Sequence, residues 1–154
     1  MQKINLTNGG DVLVDNEDFS ELSEHSWYLK TDGYASRIKS RKYGGARSTI
    51  RMHRVIMDCP KDMQVDHING NRLDNRKQNL RICTHQQNRM NTGLRSDNHS
   101  GYKGVDVWQG KWRARIRDRT IGYFKSLEEA IEAYNAEAIK EYGDFARLNI
   151  IKGE

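Results

Sequence analysis

The sequence predicts an α+β chain in two parts: small N-terminal strands leading into a strand–loop–strand–helix core, then a three-stranded antiparallel sheet packed on one helix. Three observations predict it. Short apolar runs, several of them alternating, recur between turns such as Asn8-Gly9 and Gln109-Gly110, the pattern of small antiparallel sheets. Capping boxes mark two helix starts, Thr84 with Gln87 and Ser126 with Glu129. Residues 92–100 are polar without any period, so a linker is expected there, separating residues 1–91 from residues 101–150. With 36% hydrophobic residues and a mean hydropathy of −0.92, the 154-residue chain has no material for one large core.

Lys3 to Thr7 and Val12 to Val14 read as a hairpin around Asn8-Gly9-Gly10. Asp15 or Asp18 caps a short helix over residues 18–25, with Phe19 and Leu22 inward. Trp27 to Leu29, Tyr34 to Ile38 and Thr49 to Met52 are three further strands. Between the last two, residues 39–47 form a glycine-containing basic loop, either a phosphate-gripping finger or simply a loop. His53 sits in apolar context and reads as a hydrogen-bonded core histidine. Gln64 to Ile68 is a strand, Asn69-Gly70-Asn71 a turn, and residues 74–79 a polar loop or single helical turn. Leu80 to Cys83 is the returning strand with Leu80 and Ile82 inward, and a helix from Thr84 runs to about Asn91.

In the second part, Tyr102 to Trp108 is a strand, followed by Lys111 to Arg117. Trp112, Ala114 and Ile116 alternate there with Lys111, Arg113, Arg115 and Arg117, giving one apolar and one cationic face. A turn near Asp118-Arg119 leads to a third strand, Thr120 to Phe124. A helix then runs from Ser126 to Tyr142 and stops at Gly143, with Ala130, Ile131, Ala133, Tyr134, Ala138, Ile139 and Tyr142 as its apolar stripe. Trp112, Phe124 and Tyr134 are core residues; Trp108 is either core or a platform for a base.

Nothing approaches eighteen consecutive apolar residues, and Met1-Gln2-Lys3-Ile4-Asn5 does not read as a signal peptide, so a soluble cytoplasmic chain with no membrane partner is expected. Cys59 and Cys83 are too few for a disulfide framework or a structural zinc site and read as buried thiols. The net charge of +5 is unevenly spread: residues 1–29 carry −5, residues 30–99 carry +9 and residues 100–154 carry +1. A polyanion is therefore the expected partner of the middle segment.

That segment holds Asp66-His67, then Asn79 and Asn88. Phosphodiester hydrolysis needs a water relieved of a proton and charge stabilisation at the phosphate. A histidine near neutral pKa supplies the first and a divalent cation the second. Oxygen ligands suit a hard cation, so the assignment is His67 as general base, Asp66 and Asn88 as ligands of one divalent metal (Mg²⁺, or Mn²⁺), and Asn79 as the brace of the loop that gives the imidazole its tautomer and orientation.

Asp66-His67-Ile68-Asn69-Gly70, Leu73-Asp74-Asn75-Arg76, Asn79-Leu80-Arg81 and Gln87-Asn88 resemble the HNH endonucleases, in the variant with asparagine as third motif residue found in phage and homing enzymes. The resemblance implies a ββα-metal core and the same four roles. His85 is a competing ligand or phosphate contact. Gly101 to Val105, Lys111 to Ile116, Gly122-Tyr123-Phe124, Glu129-Ala130, Ala133-Tyr134 and Phe145 to Asn149 resemble the DNA-binding domain of plant ethylene-response factors. That resemblance implies a sheet laid into the major groove, with Lys103, Trp108, Arg113, Arg115 and Arg117 as contacts. The expectation is a metal-dependent endonuclease acting on double-stranded DNA, nicking or cutting at a site. The rival is a catalytically silent, sequence-specific DNA-binding regulator, against which stands the presence of all four motif residues.

Overall fold

Gly9 and Gly10, at φ 103° and 84°, let the chain reverse between its first two strands where a residue with a Cβ would be strained. The computed structural model describes residues 1–39, 48–94 and 96–151, in two compact units, Met1–Asn88 and Arg89–Glu154. Beyond Lys39, the expected basic loop at 39–47 lies outside the described residues.

In the first unit, β1 (Gln2–Asn5) pairs antiparallel with β2 (Asp11–Val14), Ile4 opposite Val12. Helix α1 (Asn16–Ser23) begins two residues earlier than expected. Asp15 occupies its N-cap position without capping it, because the Asp15 carboxylate instead accepts the Lys77 backbone N–H at 2.8 Å. Strands β3 (Tyr28–Leu29), β4 (Ala35–Ile38) and β5 (Thr49–Arg51) form one antiparallel sheet in that order. The strand expected to continue through Met52 stops at Arg51, and the chain turns into helix α2 (Met52–Ile56). Met52, Val55 and Ile56 stand at helical spacing, and all three join the core with Val12, Val14, Leu22 and Trp27. Each fully buried aliphatic side chain of this kind contributes about 1.5–3 kcal/mol. The Trp27 indole N–H is satisfied by the Leu22 carbonyl at 2.8 Å.

Strand β6 (Gln64–His67) pairs antiparallel with β7 (Leu80–Cys83), which places Asp66 opposite Arg81 and His67 opposite Leu80. A 3₁₀ turn at Lys77–Asn79 precedes β7, and helix α3 (His85–Met90) follows it. The Thr84 hydroxyl accepts the Gln87 N–H at 3.2 Å while the Gln87 side chain accepts the Thr84 N–H at 2.9 Å. The expectation for Ile82 fails: it is exposed, and Cys83 on the other face is fully buried. A two-stranded ribbon has no further strand to cover that corner. Cys59 is only half-buried.

In the second unit, β8 (Val105–Trp108), β9 (Lys111–Ile116) and β10 (Arg119–Phe124) form an antiparallel sheet with β9 central. Gln109 and Gly110, at φ 49° and 75°, make the two-residue turn between β8 and β9. Helix α4 (Leu127–Tyr142) opens on the Ser126–Glu129 capping box and ends at Gly143. Ala130, Ile131, Tyr134 and Ala138 bury its inner face against Val105, Ala114 and Ile116. Ile139 departs from the expected stripe and is 53% exposed, one step around the helix from Ala138. Gly104 has φ 68°, and a Cβ there would run into the Tyr134 ring and the Arg115 carbonyl, which is why the sheet and helix approach so closely. Residues 92–100, expected as a linker, are hydrogen-bonded where they approach β8: Asn98 accepts from Gly101 N–H at 2.8 Å and donates to the Tyr102 carbonyl at 2.9 Å. Among the described residues, no helix is long and apolar enough to cross a membrane.

Candidate active site

His67 ends β6 and is only 4% exposed. Its Nε2 lies 2.7 Å from the Asn75 side-chain oxygen. With that oxygen as acceptor, Nε2 carries the ring proton and Nδ1 carries the lone pair. Asn75 is itself held from outside: the Leu13 N–H donates to the Leu73 carbonyl and the Asn75 N–H to the Leu13 carbonyl, both at 2.8 Å. Strand β2 thus fixes the loop that fixes the histidine. The His53 and His67 rings meet in a T-shaped arrangement at 5.2 Å between centroids and 90°, and Tyr34 lies tilted against His67 at 5.7 Å. Burial pushes the His67 pKa below the ordinary 6.5, opposed by the Asn75 hydrogen bond and by the Asp66 and Asp74 charges. The environment favours a neutral imidazole, the form a base needs.

Asn79 ties down the loop after β6. Its side-chain oxygen accepts the Asn69 N–H at 3.0 Å, and its amide donates to the Asp74 carbonyl at 2.8 Å. Asp74 is buried, accepts two Arg76 hydrogen bonds at 2.7 Å, and is held below the usual carboxylate range chiefly by them. The imidazole itself touches Asn75 instead.

Asp66 is buried and its Oδ2 accepts from Arg81 Nε at 2.9 Å and Nη2 at 2.7 Å, across the β6–β7 ladder. Asn88, on α3, donates its amide to Gln64 Oε1 at 2.6 Å. Gln64 and Asp66 are two apart on one strand, hence on the same face, so Gln64 draws Asn88 toward the Asp66 side. A carboxylate and an amide oxygen are the hard donors a Mg²⁺-like cation accepts, and such an ion keeps several waters, so the residues present fit it. Among the described residues, no three His, Cys, Asp or Glu side chains gather as a metal-holding group. The His85 ring lies 3.0 Å from the Gln64 amide nitrogen.

Several of these residues escape sequence reasoning. Asn75, eight positions after His67, lies in a stretch that carries the family resemblance, but nothing in the sequence marks it as the histidine's partner, a role that depends on the remote Leu13 contact. His53 is buried, as a core histidine should be, but its Nδ1 has no hydrogen-bond partner among the described residues and its ring packs on His67. That corrects the hydrogen-bonded reading.

In the second unit, the expected cationic face contains an acid. Asp106 accepts from Arg113 at 2.8 and 2.7 Å and lies 3.5 Å from Arg115. The Arg113 guanidinium also covers the Trp108 ring at 4.6 Å, and Trp108 is 47% exposed. Arg117 leaves the alternation: it sits in the turn after β9 at φ 50° and pairs with Glu141 of α4 at 3.3 Å. Lys103 is turned to the main chain, its amine donating to the Met90 and Thr92 carbonyls at 2.6 and 2.8 Å. Burial pushes its pKa down to about 8.

Comparison with known proteins follows the same residues. A model of the HNH endonuclease family matches residues 52–90. An uncharacterized HNH endonuclease of Acanthamoeba polyphaga mimivirus is 31% identical over 153 residues, covering 93% of this chain and 76% of that protein. Protein 3.8 of Escherichia phage T7 is 30% identical over 95 residues, 58% of this chain and 78% of its own. No solved structure matches. The matched segment carries the buried histidine and its neighbours, and the similarity continues through nearly the whole sequence: the protein is a nuclease and belongs to the HNH endonuclease family.

Proposed function

We propose that this nuclease hydrolyses phosphodiester bonds in double-stranded DNA with one divalent cation, Mg²⁺ or Mn²⁺, and that a single site per chain makes a nick its elementary product. The observation that carries the reading is the buried, neutral-favouring His67 with Asn75 on Nε2. His67 Nδ1 takes the proton of the attacking water, and Asn75 stabilises the resulting imidazolium through the Nε2–H bond. Asn79 keeps the loop closed around this pair. Asp66 and Asn88 would hold the cation, which when bound neutralises charge on the phosphate and the departing oxygen.

DNA is held in addition by the second unit, where Arg113, Arg115 and Trp108 share one sheet face; the likeness to ethylene-response factors supports this. Lys103 and Arg117 serve that unit's packing, through the carbonyls and the carboxylate they already meet. The viral relatives support a phage or mobile-element origin, with action in the host cytoplasm and homing-type site choice. Supercoiled plasmid incubated with Mg²⁺, Mn²⁺ or EDTA tests the reading. Metal-dependent open circle supports it, linear product alone revises nicking to paired cuts, and tight DNA binding with no cut under either metal favours a silent DNA-binding regulator.

A further inference from the structure

We propose that the β3–β4 hairpin and its neighbours form a cationic rim that grips a DNA backbone phosphate beside His67; this rests on the DNA-cleaving function proposed above. Three cations converge on one acid at the hairpin turn. Arg51 Nη2 lies 2.9 Å from Asp32 Oδ2, Lys30 Nζ lies 3.5 Å from the same oxygen, and Arg72 Nη1 donates to the Asp32 carbonyl at 2.7 Å. One carboxylate neutralises one of the three, so two positive charges remain uncompensated within the cluster.

The guanidiniums are also organised in space. The Arg51 and Arg72 carbons lie 4.8 and 4.9 Å from the centroid of the Tyr34 ring, and that ring is the one packed on His67. Arg72 packs so closely on Gly33 that a Cβ there would sit 3.3 Å from its Cδ, in a backbone conformation at φ 82° that disfavours any side chain. The hydrogen bonds among the described residues use one nitrogen of each guanidinium, out of five N–H donors apiece.

A surface ion pair is worth only about 0–1 kcal/mol, so stability alone gives little reason to bring three cations to one acid. Two planar guanidiniums stacked on an aromatic wall of the base's pocket are instead suited to phosphate oxygens. Lys30, Asp32, Tyr34 and Arg51 all precede the segment that matches the family model. The leading segment thus supplies most of the rim, and Arg72 completes it from within the matched one.

The test uses the full chain with Arg51→Met, Arg72→Met, the double variant and Lys30→Met, each with a thermal melt. Binding of a short fluorescein-labelled duplex is followed by anisotropy in EDTA across a salt series. Each arginine variant is expected to weaken binding about fivefold to tenfold and to lower the log–log salt slope by about 0.9 for each phosphate it no longer holds. Arg51→Lys and Arg72→Lys should keep most of the slope, and Lys30→Met lowers it without disturbing the Tyr34 stack. On plasmid with Mg²⁺, KM should rise more than kcat falls. Methionine variants that melt like wild type and bind with its affinity and slope would overturn the rim. Should the double variant fail to fold, Lys30→Met and the single variants decide by the same criterion. Plasmid left intact by wild type would count against the nuclease reading, while the EDTA binding series still decides the rim.

Discussion

Replacing Asn75 with alanine removes the amide oxygen that lies 2.7 Å from His67 Nε2. Two consequences can be sized. The Nε2–H bond is worth about 0.5–1.5 kcal/mol net, which corresponds to roughly a 2- to 12-fold preference for the tautomer with its lone pair on Nδ1. Loss of ring orientation adds to this, so turnover should fall about 10- to 100-fold. Orphaning a buried N–H should also cost about 1–3 kcal/mol of stability. Asn75→Asp keeps the acceptor but places a carboxylate beside the ring, which raises the His67 pKa. Because the base must be neutral, the loss of activity on acidification should begin at higher pH in Asn75→Asp. In wild type, where burial lowers the pKa, it should begin below the ordinary imidazole value of 6.5. The assay is single-turnover conversion of supercoiled plasmid across a pH series, with circular dichroism to establish folding. A folded Asn75→Ala that cuts at the wild-type rate with an unchanged profile would refute the orientation argument.

Three further outcomes follow from the same geometry. His53 has its pKa depressed to about 3, first by burial and then by His67, Arg51 and Arg54. The unfolded chain therefore takes up a proton between pH 6.5 and 3 that the folded chain does not. Stability present above pH 6.5 should decline on acidification across that window by on the order of 5 kcal/mol, and His53→Phe should flatten the decline in acid melts. Arg81→Met removes the guanidinium that meets Asp66. Calorimetry should then show tighter Mn²⁺ binding but a protein about 3 kcal/mol less stable without metal, because a buried charge loses its partner. Arg115→Ala should lower duplex affinity and its salt slope by about 0.9 while leaving Mn²⁺ affinity unchanged.

Local chemistry makes much of this fold legible. The Ser126 and Thr84 capping boxes, the stop at Gly143 and the turns at Gly9-Gly10 and Gln109-Gly110 each depend on neighbours within a few residues, and the structure has all of them. Legibility fails where a distant contact decides. Asp15 has the local marks of a helix cap, and nothing nearby announces that Lys77 claims its carboxylate. The helix at Met52–Ile56 is signalled by Met52, Val55 and Ile56, but the preceding strand pattern masks it. Alternation along β9 ends one residue before Arg117, and the acid that meets Arg113 and Arg115 comes from β8, a different strand. At the candidate site, the sequence displays Asp66, His67, Asn79 and Asn88 as a motif. It does not display Asn75 as the histidine's partner, or Tyr34 and His53 as the walls of its pocket, since β2, β4 and α2 are brought there only by the tertiary fold.

His67→Ala, assayed on supercoiled plasmid with Mg²⁺ and in parallel for duplex binding in EDTA, separates the chemistry of His67 from DNA binding. Plasmid conversion should fall about 10²- to 10⁴-fold with duplex affinity retained; near wild-type cutting by a folded His67→Ala protein would show that His67 is not the base.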